Sequence, residues 1–200
     1  MPAIDRSGPT ARILRWDGER ACERIDELAE EEPLEIRVGG RAISVTMRTP
    51  GDDVELTAGF LLTEGILHRP EDLVSVKSCA YDQEQSVVDA ILAPGVRVNF
   101  AGLTRHFLTS SSCGLCGKAA IESVRRQFNP VQSSVRIVPE VLTALPEAMR
   151  EAQAAFEKTG GLHAAALFDP AGRLIALRED VGRHNAVDKL IGHGLLHGLF

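Results

Sequence analysis

The chain reads as an α/β protein with a smaller β-rich amino-terminal part. Three observations carry the class. Short period-2 runs dominate residues 34 to 100. Helical spacing of apolar residues takes over after residue 117. Two nearly unbroken apolar runs, "LHAAALF" and "RLIALRE", then lie between helical segments. Strands first, followed by helices alternating with apolar strands, is the order of a layered α/β domain.

Each element follows from local pattern. Residues 1 to 20 read as a loose leader, and residues 20 to 31 as a polar helix ended by Pro33, with Cys22 on it. "PLEIRVGGRAISVTM" alternates, with Leu34, Ile36 and Val38 on one face and then Ile43, Val45 and Met47. Gly39-Gly40 between them predicts a hairpin, because primed turns need positive φ at both central residues. Asp52 or Asp53 is placed to cap a helix that Gly65 closes. Residues 73 to 80, 86 to 92 and 96 to 100 read as short strands. "KAAIESVRRQF" puts Ile121, Val124 and Phe128 on one helical face, and "VLTALPEAMREAQAAFEKTGG" predicts one more helix stopped by Gly160. Asp169-Pro170-Ala171-Gly172 is a turn sequence between the two apolar runs, which suit strands covered on both faces. A last helix begins near Asp180. The chain divides into a leader and helix (1–30), a β-rich part (31–103) and an α/β part (104–200).

The totals exclude several function classes. A formal charge of -6 argues against nucleic acid as an obligatory partner, since duplex binding needs clustered Lys and Arg. No apolar run approaches the roughly 20 residues of a membrane helix, and the first residues lack the apolar centre of a secretory signal. A cytoplasmic protein is expected. In that reducing compartment its four cysteines are thiols, ligands or nucleophiles rather than a disulfide framework. Cys22 and Cys79 read as filler thiols.

The other two stand together in "TSSSCGLCGKAA", residues 109 to 120. Cys113 and Cys116 could bind zinc, exchange disulfides, or present an activated thiolate. Zinc needs about four ligands, and no second Cys-x-x-Cys occurs; His106 is near in sequence, while His163, His184, His193 and His197 are remote. A thioredoxin-like dithiol would also precede a helix, but without these glycines. The bland alternative is two small buried residues at a tight turn. An activated thiolate fits best. Ser110 to Ser112 are ready helix caps, and Gly114 and Gly117 let the backbone bend. The positive end of the following helix, with Lys118, lowers a thiol pKa from about 8.5 toward neutrality.

A second cluster is "REDVGRHNAVDKLIG". Asp180 is a plausible N-cap. His184 and Asp188, four residues apart, share a helix face; His184 could move a proton and Arg183 could hold an anion. Alone, this pattern is most often a solvated helix face. His163 in "TGGLHAAAL" is more often a hydrogen-bonded core residue than a catalyst.

Taken together, "TSSSCGLCGKAA", "TGGLHAAALF" and "EDVGRHNAVDKLIG", with "EEPLEIRVGGRAISVTMRTPGDDVELTAGFLLTEGI" near the front, resemble the FdhD/NarQ family of sulfurtransferases, needed to make active formate dehydrogenase. The order and spacing agree over about residues 30 to 192. The resemblance implies a cytidine deaminase-like α/β/α sandwich with a smaller β-rich amino-terminal part, incomplete at its carboxyl end. It implies sulfur taken as a persulfide from a cysteine desulfurase and passed to the molybdenum (or tungsten) bis(molybdopterin guanine dinucleotide) cofactor before the cofactor enters formate dehydrogenase. It puts the persulfide on Cys113 and the second thiol on Cys116, with no tightly bound metal of the protein's own. It assigns no role to Lys118, His163, Asp180, Arg183 or His184, which remain supporting candidates. Family members continue several tens of residues past the position of Gly192, through a stretch that contributes to binding the pterin dinucleotide. This predicts a partial chain whose cofactor-binding residues lie beyond residue 200, and strand edges open to association, for instance as a homodimer. Two other readings stay open: a cofactor-binding chaperone without sulfur chemistry, and a zinc-stapled structural domain. Deaminase chemistry is not expected, because neither His-x-Glu nor Pro-Cys-x-x-Cys occurs.

Overall fold

The computed structural model describes residues 8–82, 85–100 and 132–199. The motif with Cys113, Cys116 and Lys118, and the helix expected after it, lie outside the described residues. The fold is mixed α/β, as the sequence predicts.

The chain opens with a correction. Strands β1 (Thr10–Trp16) and β2 (Ala21–Glu27) form an antiparallel ribbon where a leader and a polar helix were expected. Cys22 lies exposed in β2. The Glu- and Arg-rich composition suggested a helix, but the turn decides. Gly18 has φ 102°, and Asp17 Oδ1 accepts the amide hydrogens of Glu19 and Arg20 at 2.9 and 2.8 Å. An Asp-Gly pair between alternating runs is a hairpin signal that overrides weak helix propensity.

The predicted hairpin is present as β3 (Glu32–Val38) and β4 (Arg41–Arg48), with Gly39 and Gly40 at φ 57° and 79°. One expectation fails within it. Val45 and Met47 are exposed, although Ile43 is buried. The cause is a bulge. Register runs Arg37 to Ala42 but Ile36 to Ser44, so Ile43 is the extra residue. Beyond it Leu34 faces Thr46 and Glu32 faces Arg48. A one-residue slip exchanges the two faces of a strand. It turns Val45 and Met47 outward and carries Arg48 inside, where it is 1% exposed.

Helix α1 (Asp53–Thr63) follows. Asp52 takes the N-cap position in the left-handed region, φ 55°, but its side chain makes no cap bond. Gly65, at φ 68°, closes the helix as expected. Strands β5 (Leu73–Asp82) and β6 (Gln85–Leu92) complete a sheet of order β4-β3-β6-β5, in which β3 and β6 run parallel. Residues 96–99 form no strand, contrary to expectation. Leu34, Ile36, Leu56, Leu61, Leu67 and Val88 fill the core between this sheet and α1.

The single helix expected over 141–161 is two, α2 (Pro139–Glu151) and α3 (Ala154–Thr159). The break has a tertiary cause. Glu179 accepts the backbone N–H groups of Ala155 and Phe156 at 2.9 and 2.7 Å and so starts a new helix there. Gly160 supplies the stop at φ 64°. Strands β7 (His163–Phe168) and β8 (Leu174–Asp180) pair as a hairpin through the predicted turn. They are not covered on both faces: Leu174 and Ile175 are exposed. Helix α4 (Arg183–Leu196) lies against both strands and against α1.

Helices α1 and α4 meet backbone to backbone. A Cβ on Gly59 would fall 1.8 Å from the Asp188 carbonyl oxygen, and one on Gly192 would fall 1.8 Å from that of Glu55. No side chain fits at either point. Gly192→Ala is expected to lower stability by about 3 kcal/mol, the upper end of overpacking losses, because the obstacle is backbone rather than a flexible side chain. Chemical denaturation checks this; an unchanged midpoint would contradict the crossing.

Candidate functional site

The stretch from β8 into α4 builds the most polar interior of the described residues. Asp180, the last residue of β8, is fully buried, and Lys189 is 1% exposed. Their charges meet at 2.9 Å. Every capacity of the pair is used. Asp180 Oδ2 also accepts the Thr49 amide at 3.1 Å; Oδ1 accepts the Gly182 amide at 2.8 Å and the Asn185 side chain at 3.0 Å. Lys189 Nζ donates further to the carbonyls of Thr49 at 2.8 Å and Glu179 at 3.4 Å. A buried charge left unpaired is costly, so satisfaction of all these groups requires β8, α4 and the residues after β4 to meet together.

Two strands of bonding extend from this centre. Val181 donates its amide to Thr49 Oγ1 at 3.0 Å, while Asn185 Nδ2 donates to the Met47 carbonyl at 2.8 Å. Thr46, brought to this side by the β4 bulge, reaches Asn185 Oδ1 at 3.3 Å. Arg48 donates bidentately to Asp53 at 2.8 and 3.0 Å and to Glu32 at 3.2 Å. Burial pulls its pKa down, but the two carboxylates outweigh burial and hold it above the ordinary value.

Farther along the α1–α4 contact, Glu55 receives Arg178 through both oxygens at 2.5 and 2.8 Å, and His193 Nδ1 lies 2.9 Å from Oε1. Burial raises the Glu55 pKa, yet the bonds from Arg178 and His193 prevail and hold it below the usual carboxylate value. Asp188 has the opposite fate. It accepts the Thr63 Oγ1 hydrogen at 2.9 Å, and no cation among the described residues pairs with it. Burial pushes its carboxyl up to about 7, the Thr63 bond opposes this, and the Glu64 charge adds to it.

A model of the FdhD/NarQ family matches residues 29–199. The chain belongs to that family. Curated relatives agree. The sulfur carrier protein FdhD of Mycolicibacterium paratuberculosis is 49% identical over 191 residues, covering 92% of this chain and 70% of the relative. That of Streptomyces coelicolor is 48% identical over 192 residues, covering 92% and 68%. Among solved structures, a candidate formate dehydrogenase accessory protein from Desulfotalea psychrophila superposes with a TM-score of 0.63 at 24% identity, over 94% of this chain and 67% of that one. At that identity the likeness speaks for the fold.

Of the residues singled out in this FdhD/NarQ chain, Cys113, Cys116 and Lys118 lie outside the described residues. The structure gathers the rest at one end of the β7–β8 hairpin. His163 is the first residue of β7, in register with Asp180, and is exposed rather than a core residue. Arg183 and His184 open the first turn of α4 and are exposed. Asp180 is not the N-cap; Gly182 is. Its carboxylate instead fixes the Gly182 amide and Asn185. His184 and Asp188 do not pair, since Asp188 turns to Thr63. The helix is therefore no solvated face: its Asp188 and Lys189 side point inward. Sequence reasoning missed Thr49, Glu55, Arg178 and the two crossing glycines. The only signal was that Gly59 and Gly192 both interrupt helical runs, where glycine without a packing reason is unfavourable.

The Asp188 environment sets a pH dependence. Its unfolded pKa is about 3.9. A folded value near 7 means the native state binds the extra proton, so stability is full below pH ~4 and is lost as pH rises toward 7. Asp188→Asn should flatten this slope and make the protein more stable than the parent at pH 8. Urea denaturation across pH 4 to 8 reads it; a parent slope that survives the substitution would contradict the assignment.

Proposed function

We propose that this chain is a sulfur carrier whose Cys113 holds sulfur as a persulfide on its way to formate dehydrogenase. The observation that carries the reading is the Cys-Gly-Leu-Cys stretch, residues 113 to 116, in a chain about half identical to proteins named sulfur carrier protein FdhD. The chemistry needs what the motif offers. The Cys113 thiolate attacks the terminal sulfur of a persulfide on a cysteine desulfurase. A new S–S bond forms on Cys113, the old one breaks, and the desulfurase thiolate leaves with a proton from water. The acceptor substrate is the molybdenum (or tungsten) bis(molybdopterin guanine dinucleotide) cofactor. Cys116 then attacks Cys113 Sγ, closes the disulfide, and releases the carried sulfur as hydrosulfide to that acceptor. A cellular dithiol reductant returns the pair to thiols.

The described residues support a frame for this chemistry. At the hairpin end, the buried Asp180–Lys189 pair fixes a backbone from which Arg183 and His184 reach solvent. The exposed guanidinium of Arg183 suits an anionic dinucleotide acceptor. The donor, acceptor and dehydrogenase all belong to the cytoplasm in this reading. No helix among the described residues is long and apolar enough to cross a membrane.

Incubation of the reduced, folded protein with a cysteine desulfurase and cysteine, followed by intact mass measurement, tests the proposal. One added sulfur atom, lost in Cys113→Ala and retained in Cys116→Ala, is the expected result. A folded parent that takes up no sulfur would sink it. Cofactor retention independent of Cys113, with no sulfur gained, would instead mark a cofactor-binding chaperone.

A further inference from the structure

We propose that Thr63 and Asp188 form a proton-operated tie between α1 and α4. With a proton on Asp188, the carboxyl donates to Thr63 Oγ1 and Thr63 donates on to the Phe60 carbonyl; loss of the proton breaks this chain and loosens the helix contact. The motive is one hydrogen placed between two acceptors. Thr63 Oγ1 lies 2.9 Å from Asp188 Oδ1 and 3.2 Å from the Phe60 carbonyl oxygen. A threonine hydroxyl has a single hydrogen to give, while its oxygen can also accept. A carbonyl oxygen can only accept. Both contacts are full hydrogen bonds at once when the carboxyl brings a hydrogen of its own.

The two protonation states differ in the direction of bonding. Ionised, Asp188 takes the Thr63 hydrogen, and the Phe60 carbonyl keeps the Glu64 amide at 2.9 Å as its donor. Protonated, Asp188 starts a chain that runs from α4 through Thr63 into the backbone of α1, and such chains strengthen cooperatively. The tie sits one turn from the closest approach of the helices, where the Asp188 carbonyl oxygen meets Gly59.

The charges around the seam favour the protonated form. Glu64, just past the end of α1, is the charged group among the described residues that acts on Asp188, and it repels a carboxylate. The other ionisable groups of the packed elements turn elsewhere. On α4, His184 faces solvent and Lys189 is held by Asp180 and Thr49. Arg178 of β8 is held by Glu55 of α1, and His163 of β7 is exposed. The bond from Thr63 to an ionised Asp188 is charge-assisted, but burial and Glu64 outweigh it, so the proton is exchanged at about pH 7. The tie uses no cysteine and stands apart from the sulfur chemistry proposed above.

Carbon-detected nuclear magnetic resonance of the reduced 200-residue chain tests the chain of bonds. The Asp188 side-chain carboxyl carbon should titrate near pH 7, and the Phe60 backbone carbonyl carbon should titrate with the same midpoint as the Thr63 hydrogen leaves it. Thr63→Val keeps the shape and removes the hydroxyl; it should abolish the Phe60 response and move the Asp188 midpoint upward, while Thr63→Ser should preserve both. Amide hydrogen exchange reads the helix contact, once the intrinsic rise of exchange with pH is divided out. With an exposed carboxyl near 3.9 and the native one near 7, opening should be on the order of fortyfold more frequent at pH 7 than at pH 5 and nearly level above pH 8. Asp188→Asn should remove that rise. An Asp188 midpoint near 4, a Phe60 carbonyl that does not titrate in the parent, or an exchange slope that survives Asp188→Asn would each overturn the proposal, and the first two need no variant.

Discussion

The buried pair of Asp180 and Lys189 is the contact on which the rest of the described structure depends. Ion pairs taken out of water gain little net stability, because desolvation offsets their attraction. Their weight lies in what happens when they are half made. Here each charge is completed by backbone groups from separate elements: the Thr49 amide and carbonyl after β4, the Glu179 carbonyl in β8, and the Gly182 amide at the head of α4. Any arrangement that slides one of these elements leaves a charge buried without a partner. The pair therefore fixes register among parts of the chain that lie 131 and 140 residues apart.

Other features fall into place around that constraint. The extra residue in β4 turns the strand over, so that Arg48 and Thr46 face the helices instead of Val45 and Met47. Arg48 then ties β4 to the first turn of α1, and Thr46 supports Asn185. The glycines allow α1 and α4 to approach until their backbones touch, which brings the Glu55–Arg178–His193 cluster and the Asp188–Thr63 bond into one seam. The outward product is small but definite: His163 at the start of β7, with Arg183 and His184 at the start of α4, stand in solvent on a rigid base.

Local signals were legible in the sequence wherever the backbone itself demanded them. Gly39-Gly40, Gly65, Gly160 and the turn at Asp169–Gly172 each mark a conformation that few residues adopt, and each stands where the pattern put it. Elements set by distant partners were not legible. "ACERIDE" has a helical composition and becomes a strand because β1 pairs with it. The helix after residue 139 breaks because a carboxylate from β8 caps its interior. "GRHNAVDKLIG" looks like a solvated face because charge normally marks the surface, and nothing local reveals that a buried aspartate waits for Lys189. The cysteine motif lies outside the described residues.

A double-mutant cycle on Asp180 and Lys189 tests the central claim most directly. Lys189→Met alone should cost about 3–5 kcal/mol, because it strands a buried carboxylate. Adding Asp180→Asn should restore part of that loss, with a coupling of more than about 1 kcal/mol. Independent, additive effects within ~0.5 kcal/mol would show that the two charges do not act as one unit, and the account of how this fold is held would be wrong.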